Sequence, residues 1–223
     1  MGAKNMECIF LHGFASGPSS TKAKYIGDYL RDKGAIVHVP DLNGANFSNL
    51  TLTGQLQIID GVINKVDRDN SIFLVGSSMG GLLATMAAQK HKEIKALILL
   101  APGFGLNRRW HELVGPDEMR TWQRVGVRDV FHHAHNRNLC LKYDFITDAE
   151  LHQTDALKVS VPTLVIHGRN DEVVPVNESE LFKDLNEPIV ELHVINSDHG
   201  LIDVLPEITD LIGKFLDRHL LEP

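Results

Sequence analysis

The stretch Ile72-Phe73-Leu74-Val75-Gly76-Ser77-Ser78-Met79-Gly80 decides the fold of this chain. Its leading apolar residues predict a buried strand, and the small residues that follow Gly80 predict a helix. Gly76, Ser78 and Gly80 fit the pattern Gly-x-Ser-x-Gly, a nucleophile elbow in which the serine occupies a strained turn between strand and helix. Glycines two residues to either side remove side chains that would collide there. The alternative interpretation is a tight strand-to-helix turn whose glycines serve packing alone.

Short apolar runs alternate with longer amphipathic stretches along the chain, which is typical of a parallel sheet with crossover helices. The runs are rich in Ile, Leu and Val, so the strands are expected to be buried on both faces. Six strands are predicted near residues 8–11, 35–39, 72–75, 96–100, 163–166 and 190–195. Helices are predicted over residues 25–33, 52–66, 80–91 and 205–220.

Residues 103–155 break this alternation, because they hold both tryptophans and no clean strand. A span of that length between two strands is usually a functional insertion, and we call it the cap insertion. The chain, 1–223, is therefore expected to be one α/β domain with a small cap. Trp110, Trp122 and Met119 either roof a substrate pocket or anchor the cap insertion to the core.

Two further features of the cap insertion invite a functional interpretation. Arg108 and Arg109 could hold an anionic substrate in bidentate fashion, but solvent-facing side chains are the favoured interpretation. The run His132-His133-Ala134-His135 suggests a metal site. It lacks a matching carboxylate motif, so no metal or other cofactor is expected.

A serine nucleophile needs a general base, and the base needs an acid that orients it. His199 follows the last predicted strand and Asp171 the fifth, so both fall at the carboxyl edge of the sheet, as does Ser78. The order Ser, Asp, His is the one expected with a nucleophile elbow. Glu172 and Asp198 are rival acids, and Asp198 is the weaker rival because the immediate neighbour of His199 normally points elsewhere.

Acyl transfer also needs an oxyanion hole, which is a pair of N–H donors aimed at the oxygen that becomes negative. The expected donors are the backbone N–H groups of Met79 and Phe14. The motifs so far resemble the α/β-hydrolase superfamily and, more loosely, small bacterial esterases of the YqiA/YcfP-like group. They are His12-Gly13-Phe14, Gly76-Ser77-Ser78-Met79-Gly80, His167-Gly168 with Asp171, and Asp198-His199-Gly200.

This resemblance implies an α/β-hydrolase fold whose usual eight strands are trimmed to about six, because only about eleven residues precede His12. The implied sheet is open and all-parallel, with helices on both faces. The implied activity is that of a serine hydrolase with the triad Ser78, Asp171 and His199, which cleaves carboxylic esters of small acyl groups through an acyl-enzyme. A thioesterase or peptidase with the same triad remains an alternative, as does a non-hydrolytic ligand-binding protein.

Composition and charge indicate which partners and which cellular compartment to expect. The net charge of −7 argues against nucleic-acid binding. Cys8 and Cys140 cannot form a disulfide framework, which favours a reducing compartment. Residues 1–7 lack the apolar stretch of a secretory signal. We therefore expect a cytoplasmic protein that acts on a small-molecule ester, with no nucleic-acid or membrane partner.

Overall fold

The computed structural model describes residues 5–67 and 69–220. The predicted domain limits, 1 and 223, lie outside the described residues. The described strands are β1 (Met6–Leu11), β2 (Ile36–His38), β3 (Ser71–Ser77), β4 (Ile94–Leu100), β5 (Val127–His132), β6 (Arg137–Lys142), β7 (Thr163–Gly168) and β8 (Val190–Ile195). The described helices are α1 (Thr21–Asp32), α2 (Leu52–Ile63), α3 (Met79–Lys90), α4 (Leu106–Val114), α5 (Pro116–Val125), α6 (Asp144–Ala149), α7 (Asn177–Leu185) and α8 (Leu205–His219), with a 3₁₀ turn at Phe47–Asn49.

Six strands form one parallel sheet in the order β2-β1-β3-β4-β7-β8. The six predicted strands are these six, so the expected open, all-parallel sheet is confirmed. β1, β3 and β4 lie inside the sheet and are buried over nearly their whole length, which explains their continuous apolar sequences.

Helices cover both faces of the sheet, as expected. Alternate residues of β1 enter two different clusters of buried side chains. Cys8 and Phe10 pack on one face with residues of α1 and α8, whereas Ile9 and Leu11 pack on the other with residues of α2, α3 and α7. Because successive side chains point to opposite faces, β1 contributes to the core on both sides of the sheet.

The first helix begins one turn earlier than predicted. The sequence predicted a start at residue 25, but α1 starts at Thr21. The Ser20 side chain accepts a hydrogen bond from the Ala23 amide at 3.3 Å and caps the helix. The missed turn matters because it carries Lys22 toward the carboxyl edge of the sheet.

The prediction that residues 103–155 contain no strand was wrong. β5 and β6 form an antiparallel hairpin in which Val127 pairs with Lys142 and His132 with Arg137. The apolar residues of β5 are interleaved with charged ones, and much of the strand is exposed. Continuous apolar runs indicate strands that are buried on both faces. A half-exposed strand such as β5 has no such run.

The aromatic residues of the cap insertion anchor it to the core. Trp122 is 2% exposed, and its indole N–H donates to the Leu141 carbonyl oxygen at 3.1 Å. Trp110 packs edge-on against Phe14, with ring centroids 5.1 Å apart. Met119 is also buried. Of the two interpretations left open by the sequence, packing against the core is the one observed.

Of the two arginines of the cap insertion, Arg108 is exposed as expected and Arg109 is not. Arg108 is half-exposed and donates to the Glu178 carboxylate at 2.6 Å. Arg109 is only 6% exposed, so the interpretation that it faces solvent was wrong. Its position on the inner face of α4 places it among core residues. Burial lowers the pKa of its guanidinium, against the opposing effect of nearby Glu178 and Asp171.

Helices that span a membrane must be both long and apolar. Within residues 5–67 and 69–220, no helix combines the length and apolar character required to span a bilayer.

Candidate active site

The chain between β3 and α3 makes the sharp turn that the elbow motif predicts. Ser78 has φ 54° and ψ −119°, a conformation that L-residues rarely adopt and that stores strain. A Cβ atom on Gly76 would lie 2.3 Å from the Gly80 carbonyl oxygen, and one on Gly80 would lie 2.1 Å from the Leu11 carbonyl oxygen. Both glycines are therefore required for backbone segments to approach this closely.

Three loops at the carboxyl edge of the sheet bring Ser78, His199 and Asp171 together. The Ser78 hydroxyl lies 3.0 Å from His199 Nε2, and His199 Nδ1 lies 2.7 Å from Asp171 Oδ2. With Nδ1 protonated, the histidine donates to the carboxylate and accepts from the serine. The three residues predicted from the sequence thus form one continuous series of hydrogen bonds.

The Asp171 carboxylate is fully satisfied and has no exposed surface. Its Oδ1 accepts from the amides of Val173 at 2.8 Å and Val174 at 2.7 Å. Its Oδ2 lies 3.1 Å from His167 Nε2 in addition to its contact with His199. Burial alone would raise the pKa of Asp171, but the hydrogen bonds from the two histidines and an amide outweigh burial and hold this pKa well below its usual range. The carboxylate is thereby kept ionised beside His199.

Neither rival acid contacts His199. Glu172 is exposed. Asp198 is exposed as well, and its Oδ1 accepts from the Gly200 amide at 2.8 Å and the Leu201 amide at 3.2 Å. These two bonds close a turn, so Asp198 shapes the loop that carries His199.

A second buried histidine, which the sequence motifs did not mark as a site residue, contacts the acid. His167 is the penultimate residue of β7 and has no exposed surface. Its Nδ1 lies 2.7 Å from the Ser179 hydroxyl, and its Nε2 lies 2.9 Å from the Val174 carbonyl oxygen as well as 3.1 Å from Asp171. A single N–H at Nε2 is therefore shared between two acceptors. The one signal in the sequence was a His-Gly pair at a strand end, four residues before the predicted acid.

The oxyanion hole is expected to be formed by the backbone amides of Phe14 and Met79. Among the described residues, neither the Phe14 nor the Met79 N–H donates to a backbone or side-chain group. The two loops lie close together at Gly13, where a Cβ atom would be in van der Waals contact with the Ser78 Cβ at 3.4 Å. Met79 is the first residue of α3, so its N–H has no partner within the helix.

A cavity of about 770 Å³ opens over Ser78 and His199. Phe14 and Val173 line it near the serine, and His133 lines it from the β5–β6 connection. Neither tryptophan of the cap insertion reaches it. Within residues 5–67 and 69–220, no three His, Cys, Asp or Glu side chains are grouped as metal ligands would be.

The α/β-hydrolase class is defined by a strained serine turn after a central strand of a parallel sheet. Its histidine and aspartate lie on loops at the same edge of that sheet. The chain is a protein of that class. More specifically, it belongs to the family described as "Uncharacterised protein family (UPF0227)", whose model matches residues 7–216.

Individual proteins in several organisms are also similar to this chain. Palmitoyl-protein thioesterase ABHD10, mitochondrial, of Rattus norvegicus is 27% identical over 95% of this chain and 76% of its own length. The 2-hydroxy-6-oxo-6-(2'-aminophenyl)hexa-2,4-dienoic acid hydrolase of Metapseudomonas resinovorans is 26% identical over 55% of this chain, a match that spans only about half, 51%, of that relative. The structure of mouse alpha/beta hydrolase domain-containing protein 10 superposes with a TM-score of 0.81 at 24% identity and covers 98% of this chain and 92% of its own.

Proposed function

We propose that this protein is a serine hydrolase that cleaves carboxylic esters of small acyl groups through an acyl-enzyme intermediate. The observation that carries the proposal is the hydrogen-bond series from Ser78 through His199 to Asp171, with distances of 3.0 and 2.7 Å, at the floor of an open cavity. A protein that only bound a ligand would need neither an oriented histidine nor a strained serine.

In the proposed reaction, Ser78 Oγ attacks the ester carbonyl carbon while His199 Nε2 takes the hydroxyl proton. The carbonyl oxygen becomes negative and accepts hydrogen bonds from the Phe14 and Met79 amides. Collapse of this intermediate breaks the bond to the alcohol, which leaves with the proton from His199. Water then attacks the acyl-serine by the same route and releases the carboxylic acid. Asp171 holds the histidine in the required tautomer throughout.

Thioester hydrolysis is the second candidate, because one relative is named a palmitoyl-protein thioesterase. The same groups would act, with a thiol as the leaving group in place of an alcohol. Comparing kcat/KM for matched oxygen and thio esters of butyrate distinguishes the two substrates. We expect the oxygen ester to be a good substrate. A preference for the thioester of a hundredfold or more would assign the protein to thioester chemistry.

A fluorophosphonate probe tests the serine mechanism directly. The intact mass of the wild-type protein is expected to increase by one probe adduct, whereas Ser78→Ala is expected to stay unlabelled. Ser77→Ala is the matched control, since Ser77 is buried at the end of β3 and is expected to leave labelling intact. Absence of labelling in the folded wild-type protein would favour the non-hydrolytic ligand-binding alternative.

The acyl-chain preference follows from how the space beside Ser78 is filled. Phe14 lines the cavity and packs against Phe47, Trp110 and Phe145, with ring centroids 5.1 to 5.8 Å from its own, so packed aromatic rings bound the cavity on this side. Esters of roughly C2 to C6 acids are therefore expected to be cleaved better than those of C12 or longer, since added methylenes favour binding only while space remains. A p-nitrophenyl ester series measures this, and a steady rise in kcat/KM through C12 would contradict it.

We further propose that the protein works in the cytoplasm on a small-molecule ester, without a nucleic-acid or membrane partner. The support is the net charge of −7 and the two free thiols, Cys8 and Cys140. Cell fractionation with a tagged protein tests the location. Recovery in the membrane or secreted fraction would contradict it.

A further inference from the structure

The cavity over Ser78 has an unusual charge for this protein. The chain carries a net charge of −7, yet no Asp or Glu is found among the described residues that line the cavity. Lys22 is the single Lys or Arg that lines it in that part of the chain. The formal charge facing a bound substrate therefore has the sign opposite to that of the whole protein.

Within the described residues, Lys22 forms no direct contact with a carboxylate. In the portion of the chain that the structure describes, its ammonium makes neither a hydrogen bond nor an ion pair, although the side chain is half-buried. By contrast, Arg108 and Lys90, which lie away from the cavity, pair with carboxylates. A half-buried cation that is left unpaired costs free energy, which an anionic ligand would recover.

Polar groups surround Lys22 on this side of the cavity. The hydroxyl-bearing residues Ser16, Ser19 and Thr21 line the cavity beside it. Hydroxyl groups donate readily to carboxylate or phosphate oxygens. Val173 and Ile202 also line the cavity, so a bound ester meets apolar as well as polar side chains.

Two carboxylates lie close enough to act on Lys22 through space. Burial lowers the pKa of Lys22 to about 8, against the opposing effect of Asp171 and Asp198. Lys22 is therefore cationic at neutral pH. Both carboxylates would repel an anionic substrate approaching Ser78, and Lys22 is placed to offset that repulsion.

We propose that Lys22 is a specificity-determining residue that selects esters carrying a carboxylate or phosphate group a short distance from the scissile bond. This inference rests on the proposed function and narrows its substrate class from small esters to small anionic esters. The anionic group could belong to the acid or to the alcohol portion of the ester.

Matched pairs of substrates test the proposal in two arms. For the acid portion, mono-4-nitrophenyl adipate is compared with neutral 4-nitrophenyl heptanoate. For the alcohol portion, 4-acetoxybenzoate is compared with its methyl ester. The measured quantity is the ratio of kcat/KM for the anionic and neutral members, in the wild-type protein and in Lys22→Gln, Lys22→Arg and Lys24→Gln. Lys24 is the matched control, because it lies on the same helix, is exposed and does not line the cavity.

In one arm, Lys22→Gln is expected to lower the anionic-to-neutral ratio about tenfold, the size of one charge-assisted hydrogen bond. Lys22→Arg is expected to retain most of the ratio and Lys24→Gln all of it. The arm that responds identifies which portion of the ester carries the charge. Raising the ionic strength is expected to reduce the wild-type ratio and to leave the Lys22→Gln ratio nearly unchanged.

Two outcomes would overturn the proposal while leaving the serine mechanism intact. One is an unchanged ratio in both arms. The other is an equal loss of turnover on anionic and neutral esters, which would mean that Lys22 acts on the triad electrostatically rather than on the substrate.

Binding of uncleaved 4-acetoxybenzoate and of its methyl ester to Ser78→Ala, with and without Lys22→Gln, provides a readout that does not require turnover. If the neutral esters are not hydrolysed and the fluorophosphonate does not react, the proposed function fails. The binding affinities of the two ligands for these Ser78→Ala variants, measured by titration calorimetry, then decide the anion preference separately.

Discussion

Two buried histidines in different regions of the molecule have opposite environments. His167, at the carboxyl edge of the sheet, has partners for both ring nitrogens: the Ser179 hydroxyl on one side, and the Val174 carbonyl and the Asp171 carboxylate on the other. His132, at the end of β5 in the cap insertion, is equally inaccessible to solvent. Neither of its ring nitrogens has a hydrogen-bond partner within the described part of the chain.

The contrast extends beyond these two residues. In the cap insertion, Asn107 Oδ1 and Arg128 Nη1 are also buried without partners among the described residues. At the sheet edge, both oxygens of Asp171 are fully used. Satisfied polar networks fix geometry, and unsatisfied ones weaken it. Within the described residues, the buried polar groups around Ser78 and His199 are therefore paired, whereas several in the cap insertion, and Gln55 Oε1 in α2, are not.

The largest expected effect is that of Ser78→Ala, which changes the sheet edge, where the buried polar groups are paired. The variant is expected to fold normally and to lose hydrolysis by about 10⁶, because triad members act as a unit. The measurement is kcat/KM on p-nitrophenyl butyrate, with circular dichroism to verify folding. Near-wild-type turnover, once a contaminating esterase is excluded, would remove the serine from the mechanism.

Asp171→Asn keeps the shape of the acid and disturbs its hydrogen bonds. The amide favours the wrong tautomer of His199, so kcat is expected to fall by about 10⁴. The neighbouring Glu172→Gln is the matched control and is expected to change kcat little, since Glu172 is exposed. A large loss in the control with a small loss in Asp171→Asn would mean that the acid lies one position further along the chain.

The paired variants His167→Leu and His132→Leu compare the two regions directly. His167→Leu leaves the Ser179 hydroxyl and Asp171 short of a partner, and is expected to lower the free energy of unfolding by about 3 kcal/mol. His132→Leu removes two unpaired polar atoms at similar volume, and is expected to raise the free energy of unfolding by about 1 kcal/mol. Urea denaturation measures both values. Equal losses would show that the two environments do not differ energetically.

The pH dependence of stability gives the smallest expected difference. Burial lowers the pKa of His132, as do the nearby His135, His12 and His133, against the opposing effect of Asp41. An unfolded histidine titrates near ~6.5, so the unfolded chain binds more protons at this site below that pH. The neutral form of His132 therefore contributes stability above pH ~6.5 that is lost as the pH falls.

His132→Leu is consequently expected to be less sensitive to acid than the wild-type protein. The gap between their free energies of unfolding should widen as the pH is lowered from 7 to 5. A gap that stays constant over this range would mean that His132 does not change its protonation on unfolding.

Much of the site could be predicted from the sequence because its parts are local. The turn at Ser78 needs glycine at fixed positions for steric reasons, so its pattern is visible in nine residues. Strand ends of a parallel sheet meet at one edge, so the chain order indicated that Asp171 and His199 would lie near the serine. The continuous apolar character of the six sheet strands also followed from local sequence.

The remaining features depend on contacts between residues distant in sequence. The hairpin of β5 and β6 is half-exposed, so its pattern resembles that of a polar loop. The burial of Arg109 depends on which face of α4 packs inward. The partners of His167 come from Val174 and Ser179, and Lys22 reaches the cavity because α1 begins one turn early. The sequence by itself determined where the six sheet strands lie along the chain and which residues meet at the carboxyl edge of the sheet, because steric and apolar patterns are read within a few residues. Only the tertiary structure decided which polar side chains are paired, because burial and hydrogen bonding are properties of neighbours that the chain supplies from elsewhere.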